Sequence, residues 1–183
     1  FDTLDAAGSM VGSGGMVVMD ERTCMVDVAK YFLTFLQDES CGKCTPCREG
    51  IDRMLEIVTD ITEGRGRPEQ LDLLEELSET VAEASLCALG KTAPNPLVST
   101  LRHFRDEYEA HIHEQRCPAG VCRALIRYAI DAERCTGCGA CRKACPHGAI
   151  AGKQKEPHSI DPEWCTKCGI CRETCKFEAV GII

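Results

Sequence analysis

Fifteen cysteines occur in 183 residues, and twelve of them fall into three groups of four. Cys135, Cys138, Cys141 and Cys145 are separated by two, two and three residues, and Pro146 follows. Cys165, Cys168, Cys171 and Cys175 repeat that spacing thirty residues later. Cys41, Cys44 and Cys47 form a third set, with Cys87 as the expected distant fourth member. Tight triplets of thiols and an odd total argue against a disulfide framework and for iron–sulfur ligation. The first expectation is therefore a chain that conducts electrons.

The tandem groups match the bacterial ferredoxin run, in which three cysteines hold one cubane and the fourth reaches across to the other. Carried onto this sequence, one [4Fe–4S] cluster takes Cys135, Cys138, Cys141 and Cys175. The other takes Cys165, Cys168, Cys171 and Cys145. Gly137, Gly139 and Gly169 let the backbone approach the sulfides closely. A zinc ribbon is the competing reading, but such sites use paired cysteines and stop at four ligands.

Hydrophobic residues reach 44% only when cysteine is included, and aromatics are 5%. The organic core is thin, so ligand–metal bonds are expected to contribute directly to folding. The formal net charge of −8 comes without a basic stripe, which excludes nucleic acid as a partner. No segment has the apolar length of a membrane span, and no secretory signal opens the chain. The thiols call for a reducing compartment, the cytoplasm.

Residues 1–20 read as the end of an upstream domain. They contain a turn at Gly12-Ser13-Gly14-Gly15, which lacks the rest of a nucleotide-loop fingerprint, and the strand-like run Met16-Val17-Val18-Met19. Beginning without an initiator Met, the chain reads as the back part of something longer. Residues 21–113 read as a small four-helix bundle. Its first helix runs from an N-cap at Thr23 to Gln37, on a stripe of Met25, Val28, Phe32, Phe35 and Leu36. The second runs from about Glu49 to Thr62. The third opens at Pro68 and uses Leu71, Leu74, Leu77 and Val81. The fourth starts after Asn95-Pro96 and aligns Leu97, Leu101, Phe104, Tyr108 and His111. Residues 114–133 read as a linker and 134–183 as the ferredoxin domain. The fold class is thus mainly α: a bundle carrying one [4Fe–4S] cluster, then an α+β domain carrying two. Cys87, just past the third helix, has the best position for the bundle cluster's fourth ligand; Cys24, Cys117 and Cys122 are the alternatives.

Glu39-Ser40-Cys41-Gly42-Lys43-Cys44-Thr45-Pro46-Cys47-Arg48-Glu49-Gly50 closely resembles the cluster motif of the NADH-binding flavoprotein subunit of respiratory complex I. Gly12–Asp20 and Ser85-Leu86-Cys87 resemble the same family, which covers residues 1–113. Continuing through Cys117-Pro118-Ala119-Gly120-Val121-Cys122 into a ferredoxin resembles the flavoprotein subunits of NAD(P)-linked, electron-bifurcating [FeFe]-hydrogenases and some NAD-dependent formate dehydrogenases. The resemblance implies FMN and NAD(P) sites upstream of this chain. It implies partners in a multi-subunit complex: a thioredoxin-like [2Fe–2S] subunit, a catalytic hydrogenase or formate dehydrogenase subunit, and soluble ferredoxin as an acceptor. This segment itself would have no substrate site.

Cys24, Cys117 and Cys122 remain. With His111 they make three thiols and an imidazole, a common structural zinc set; His113 is the alternative donor, lying off the apolar stripe. A buried core histidine among buried thiols is the plainer reading. Trp164, beside Cys165, is expected to shield a cluster, and His147 and His158 to lie in loops. The acidic run Glu75, Glu76 and Glu79 reads as a solvated helix face. The rival function from another class is a carrier of clusters or metal without redox turnover.

Overall fold

The computed structural model describes residues 2–6, 12 and 14–183. The chain forms two units, the first ending at Ala124 and the second spanning Leu125–Ile183. The residues expected to form a linker are divided between them. Residues 114–124 belong to the first unit and 125–133 to the second, because the second unit's first strand lies there.

The first unit is helical: α1 (Asp2–Ala6), α2 (Met25–Glu39), α3 (Thr45–Thr62), α4 (Glu69–Ala84), α5 (Ala88–Thr92), α6 (Asn95–His103) and α7 (Arg105–His113). Helix α3 begins four residues before the expected Glu49, because Pro46 occupies its first turn and Cys44 is its N-cap. Its apolar face packs against α2 and α4 through Ile51, Met54, Ile57, Val58 and Ile61. At Gly50 the approach to α4 is so close that a Cβ would stand 2.2 Å from Val81 Cγ2.

Four further expectations for this unit differ from the structure. The N-cap of α2 is Cys24 rather than Thr23, and the Glu107 carboxylate accepts from the Met25 N–H at 2.9 Å. The buried face of α2 is Val26, Ala29 and Leu33, whereas Tyr31 is 69% and Phe35 53% exposed. These aliphatic side chains face inward, and the aromatic side chains face out. The fourth helix is two helices, broken at Phe104 (φ −136°, ψ 35°). A 2.8 Å hydrogen bond between Thr100 Oγ1 and the buried Tyr108 hydroxyl spans the break. Residues Met16–Met19 are exposed and form no strand; a strand needs a paired edge. Of the expected turn, Ser13 lies outside the described residues, and Gly12 and Gly14 have φ of +54° and +83°.

In the second unit β1 (Tyr128–Ile130) pairs antiparallel with β4 (Val180–Ile182), so the first strand closes on the last. Between them β2 (Ile150–Ala151) pairs with β3 (Ser159–Ile160), Ile150 opposite Ile160. Two short helices, α8 (Ala140–Ala144) and α9 (Ile170–Thr174), complete the unit. The thirty-residue repeat extends to the backbone. Asp131 N–H donates to the Ala179 carbonyl and Asp161 N–H to that of Ala149, both at 2.8 Å. Gly139 and Gly169 start the two helices with φ of +74° and +82°, the left-handed region where a side chain is strained. Ile150, Val180, Cys141 and Cys171 pack together as one buried cluster, half of it cysteine.

Candidate metal centres

Cys24, His111, Cys117 and Cys122 come from three places in the first unit: the N-cap of α2, the last turn of α7 and the loop after it. All four are buried, and their ligand atoms lie within 4.8 Å of one another, the spacing of a single ion. His111 Nε2 is 3.4 Å from both Cys24 Sγ and Cys122 Sγ, which are 3.8 Å apart. His111 Nδ1 donates to the Glu107 carbonyl at 2.7 Å, which turns the Nε2 lone pair toward the sulfurs. The Val121 N–H donates to Cys117 Sγ at 3.4 Å. Burial pulls the imidazole down, but hydrogen bonds to Cys117 and Cys24 outweigh it and push His111 up to about 10. Hydrogen bonds from Cys122 and then Cys24 hold Cys117 far below the ordinary thiol range, and Cys122 is pushed up in turn. His113 is exposed and takes no part.

The bundle motif sits where α3 and α5 begin. Cys44 is the N-cap of α3, Cys47 lies buried in its first turn, and Cys87 is the N-cap of α5. The Leu86 and Cys47 backbone N–H groups, in that order, lower Cys44 below the usual thiol range. That contact brings the residue before Cys87 onto the triplet. Gly90 backs onto the same place: a Cβ there would stand 3.2 Å from Cys47 Cβ and 2.6 Å from Ser85 Oγ. Ser85 Oγ is buried without a partner among the described residues, an orphan donor that an anionic cluster would satisfy. Ser40 Oγ lies 3.4 Å from Cys47 Sγ. The alternatives for the fourth ligand, Cys24, Cys117 and Cys122, are gathered at His111 instead.

Two small cavities open in the second unit. Cys135, Cys138, Cys141 and Cys175 line one, with Ile130, Gly139, His158 and Val180. Cys145, Cys165, Cys168 and Cys171 line the other, with Tyr128, Ile150, Ile160 and Gly169. Each wall therefore takes three thiols from one half of the repeat and a fourth from the other. Burial raises Cys141 and Cys171, and the neighbouring thiols add to it: Cys135, Cys175 and Cys138 for Cys141, Cys165 and Cys168 for Cys171. Trp164 is 67% exposed and lines neither cavity, so it does not act as the expected shield. His147 lines the second cavity from an exposed loop position. His158 does lie in a loop, but buried; its signal in the sequence is Gly152, which leaves room for the ring.

Residues 27–111 match the NADH-ubiquinone oxidoreductase-F iron-sulfur binding region. Residues 128–151 and 158–180 each match the 4Fe-4S binding domain. The NADP-reducing hydrogenase subunit HndC of Solidesulfovibrio fructosivorans is 54% identical over 158 residues, 86% of this chain and 32% of that protein. The chain carries the iron–sulfur part of the 51-kDa-like flavoprotein family. An NADH-quinone oxidoreductase subunit of Rhizobium meliloti is 49% identical over 118 residues, 64% of this chain and 28% of that protein. An NAD+-reducing [NiFe]-hydrogenase, solved in its H2-reduced state, superposes with a TM-score of 0.51 at 30% identity, covering 73% of this chain and 22% of that one. The chain spans about a third of the length of the curated relatives it matches. The match to HndC is longer than the first unit and so runs into the second. No helix among the described residues is long and apolar enough to cross a membrane.

Proposed function

We propose that this chain is an electron-transfer segment with three [4Fe–4S] clusters, part of an electron-bifurcating, NAD(P)-linked hydrogenase-type complex. The observation that carries the reading is the exchange of Cys145 and Cys175 between the two halves of the repeat, the ligand pattern of a two-cluster ferredoxin. Cys41, Cys44, Cys47 and Cys87 hold the cluster nearest to an FMN and NAD(P)H site located outside these residues. Cys135, Cys138, Cys141 and Cys175, and Cys165, Cys168, Cys171 and Cys145, hold the other two. The clusters supply acceptance and release of single electrons. The chain's own residues set the spacing, exclude water and aim donors such as the Leu86 and Ser85 groups at the sulfurs. Partner subunits of thioredoxin-like and catalytic type, or soluble ferredoxin, exchange the electrons. The length of the match to the hydrogenase relative favours this over a respiratory NADH:quinone oxidoreductase subunit. A formate dehydrogenase complex is the remaining setting, and a cytoplasmic location suits all three.

Cys24, His111, Cys117 and Cys122 hold zinc. Bonds of about 2.3 Å to sulfur and about 2.0 Å to nitrogen at tetrahedral angles place two sulfurs about 3.8 Å apart and sulfur and nitrogen about 3.5 Å apart. The separations of 3.8 Å and 3.4 Å agree with that geometry. Pinned in this way, the loop ending at Cys122 anchors motion of the ferredoxin unit, which selects the acceptor. One fixed position in every redox state would overturn that motion.

Anaerobic reduction followed by electron paramagnetic resonance tests the main reading. It predicts reversible signals from all three clusters, with magnetic coupling between the two in the second unit. Signals that are absent, or lost irreversibly on one reduction, would instead favour a carrier without redox turnover.

A further inference from the structure

The thirty-residue repeat of the second unit preserves the ligands, the helix starts and the strand pairing, but its side chains differ at four wall positions: Tyr128/His158, His147/Phe177, Ile150/Val180 and Ile170/Ala140. Tyr128 Oη lies 3.1 Å from where Gly169 would carry a Cβ. Thirty residues on, His158 Nε2 lies 3.9 Å from the same point on Gly139. The Tyr128 phenol thus lines the cavity of Cys145, Cys165, Cys168 and Cys171, which the exposed His147 also borders, and the His158 imidazole lines that of Cys135, Cys138, Cys141 and Cys175. The two are not equally enclosed. Tyr128 is half-buried, whereas His158 is 5% exposed.

Gly152 makes that burial possible. Its φ of +149° and missing side chain admit the ring, since a Cβ there would stand 2.7 Å from His158 Cγ and 2.8 Å from Cδ2. The Cγ–Cδ2 edge rests on Gly152. Nδ1 is buried and has no hydrogen-bond partner among the described residues. An unpaired buried nitrogen carries an uncompensated desolvation penalty, so a partner is called for. The same cavity wall holds four thiols positioned for an anionic cluster.

We propose that His158 Nδ1–H donates a hydrogen bond to the sulfurs of the cluster held by Cys135, Cys138, Cys141 and Cys175, and so raises its reduction potential above that of its repeat mate. The inference rests on the cluster assignment made under Proposed function. Reduction adds negative charge to the sulfur framework, so a fixed donor stabilises the reduced form more than the oxidised one. The effect is larger for an enclosed donor than for the half-buried phenol at the other site, because the local dielectric is lower. His158 is a positioning residue that makes two ligand sets of identical spacing unequal. An electron entering the ferredoxin unit then comes to rest on the His158 side.

The test is a redox titration of the full chain, purified anaerobically, with cluster signals read by electron paramagnetic resonance. Wild type should show two split potentials in the ferredoxin unit. H158F should lower the upper one, moving the electron's partition about tenfold, or about 59 mV for a one-electron couple. The lower potential and that of the bundle cluster should stay in place. H158N, whose amide nitrogen takes the place of Nδ1, should restore the split. H158Q, which reaches toward the Nε2 place instead, should behave like H158F and serves if the phenylalanine variant does not fold. Full iron and sulfide content with an unmoved split in H158F or H158Q overturns this inference alone. A wild-type chain without the two ferredoxin clusters overturns the functional reading, and this inference with it.

Discussion

Cys24 is both the N-cap of α2 and a neighbour of His111, while Glu107 receives the first N–H of α2 and orients the imidazole through its carbonyl. Capping and the Cys/His cluster therefore share residues. E107A should weaken the start of α2 by about 0.5–2 kcal/mol, as loss of a cap does, measured by chemical denaturation. His111 also sets a pH dependence. Its folded value, about 10, lies above the ordinary 6.5, so in zinc-depleted protein its stabilising contribution is full below 6.5 and lost as pH rises through about 10. Zinc must displace that proton, so binding should release protons and tighten as pH rises across the same window. Calorimetry in buffers of different ionisation enthalpy checks this, and zinc uptake without proton release would contradict it. The two cysteine sets that line the cavities of the second unit are legible in the sequence, because ligand spacing is a covalent property. The burial of His158 is not, because it depends on a glycine six residues earlier folding back under the ring.

At the scale of elements, the start of α3 and the break at Phe104 show what periodicity misses. Pro46 marks a helix start more sharply than the apolar stripe beginning at Ile51, and it places Cys47 on a rigid turn. The stripe through Leu97, Leu101, Phe104, Tyr108 and His111 is continuous in sequence, yet the structure uses it as two helices that leave Phe104 exposed. Helix α2 departs from its expected face for a different reason: it carries apolar side chains on both sides, so hydrophobicity alone does not say which faces inward. The close contact of α3 and α4 yields a prediction. G50A gains helix propensity but drives a methyl into Val81, so it should destabilise the first unit by about 1–3 kcal/mol. G50A/V81A should recover part of that loss in urea denaturation, and a stabilised G50A would contradict the packing.

Taken whole, the molecule is organised around thiols more than around hydrocarbon. The first unit has a helical core of its own, including Leu33, Ile51, Met54, Leu74 and Tyr108. The second has a much smaller one, in which Cys141 and Cys171 are themselves members. Iron removal by an anaerobic chelator should therefore unfold Leu125–Ile183 first and leave the helices of the first unit largely formed. Limited proteolysis with circular dichroism checks that order, and simultaneous loss of both units would contradict it. The central claim is that the thiols divide into three cubane sites and one zinc site, and metal content measures it directly. Anaerobically purified protein should contain about twelve iron atoms, about twelve acid-labile sulfides and about one zinc per chain. Several zinc atoms with little iron or sulfide would contradict the account.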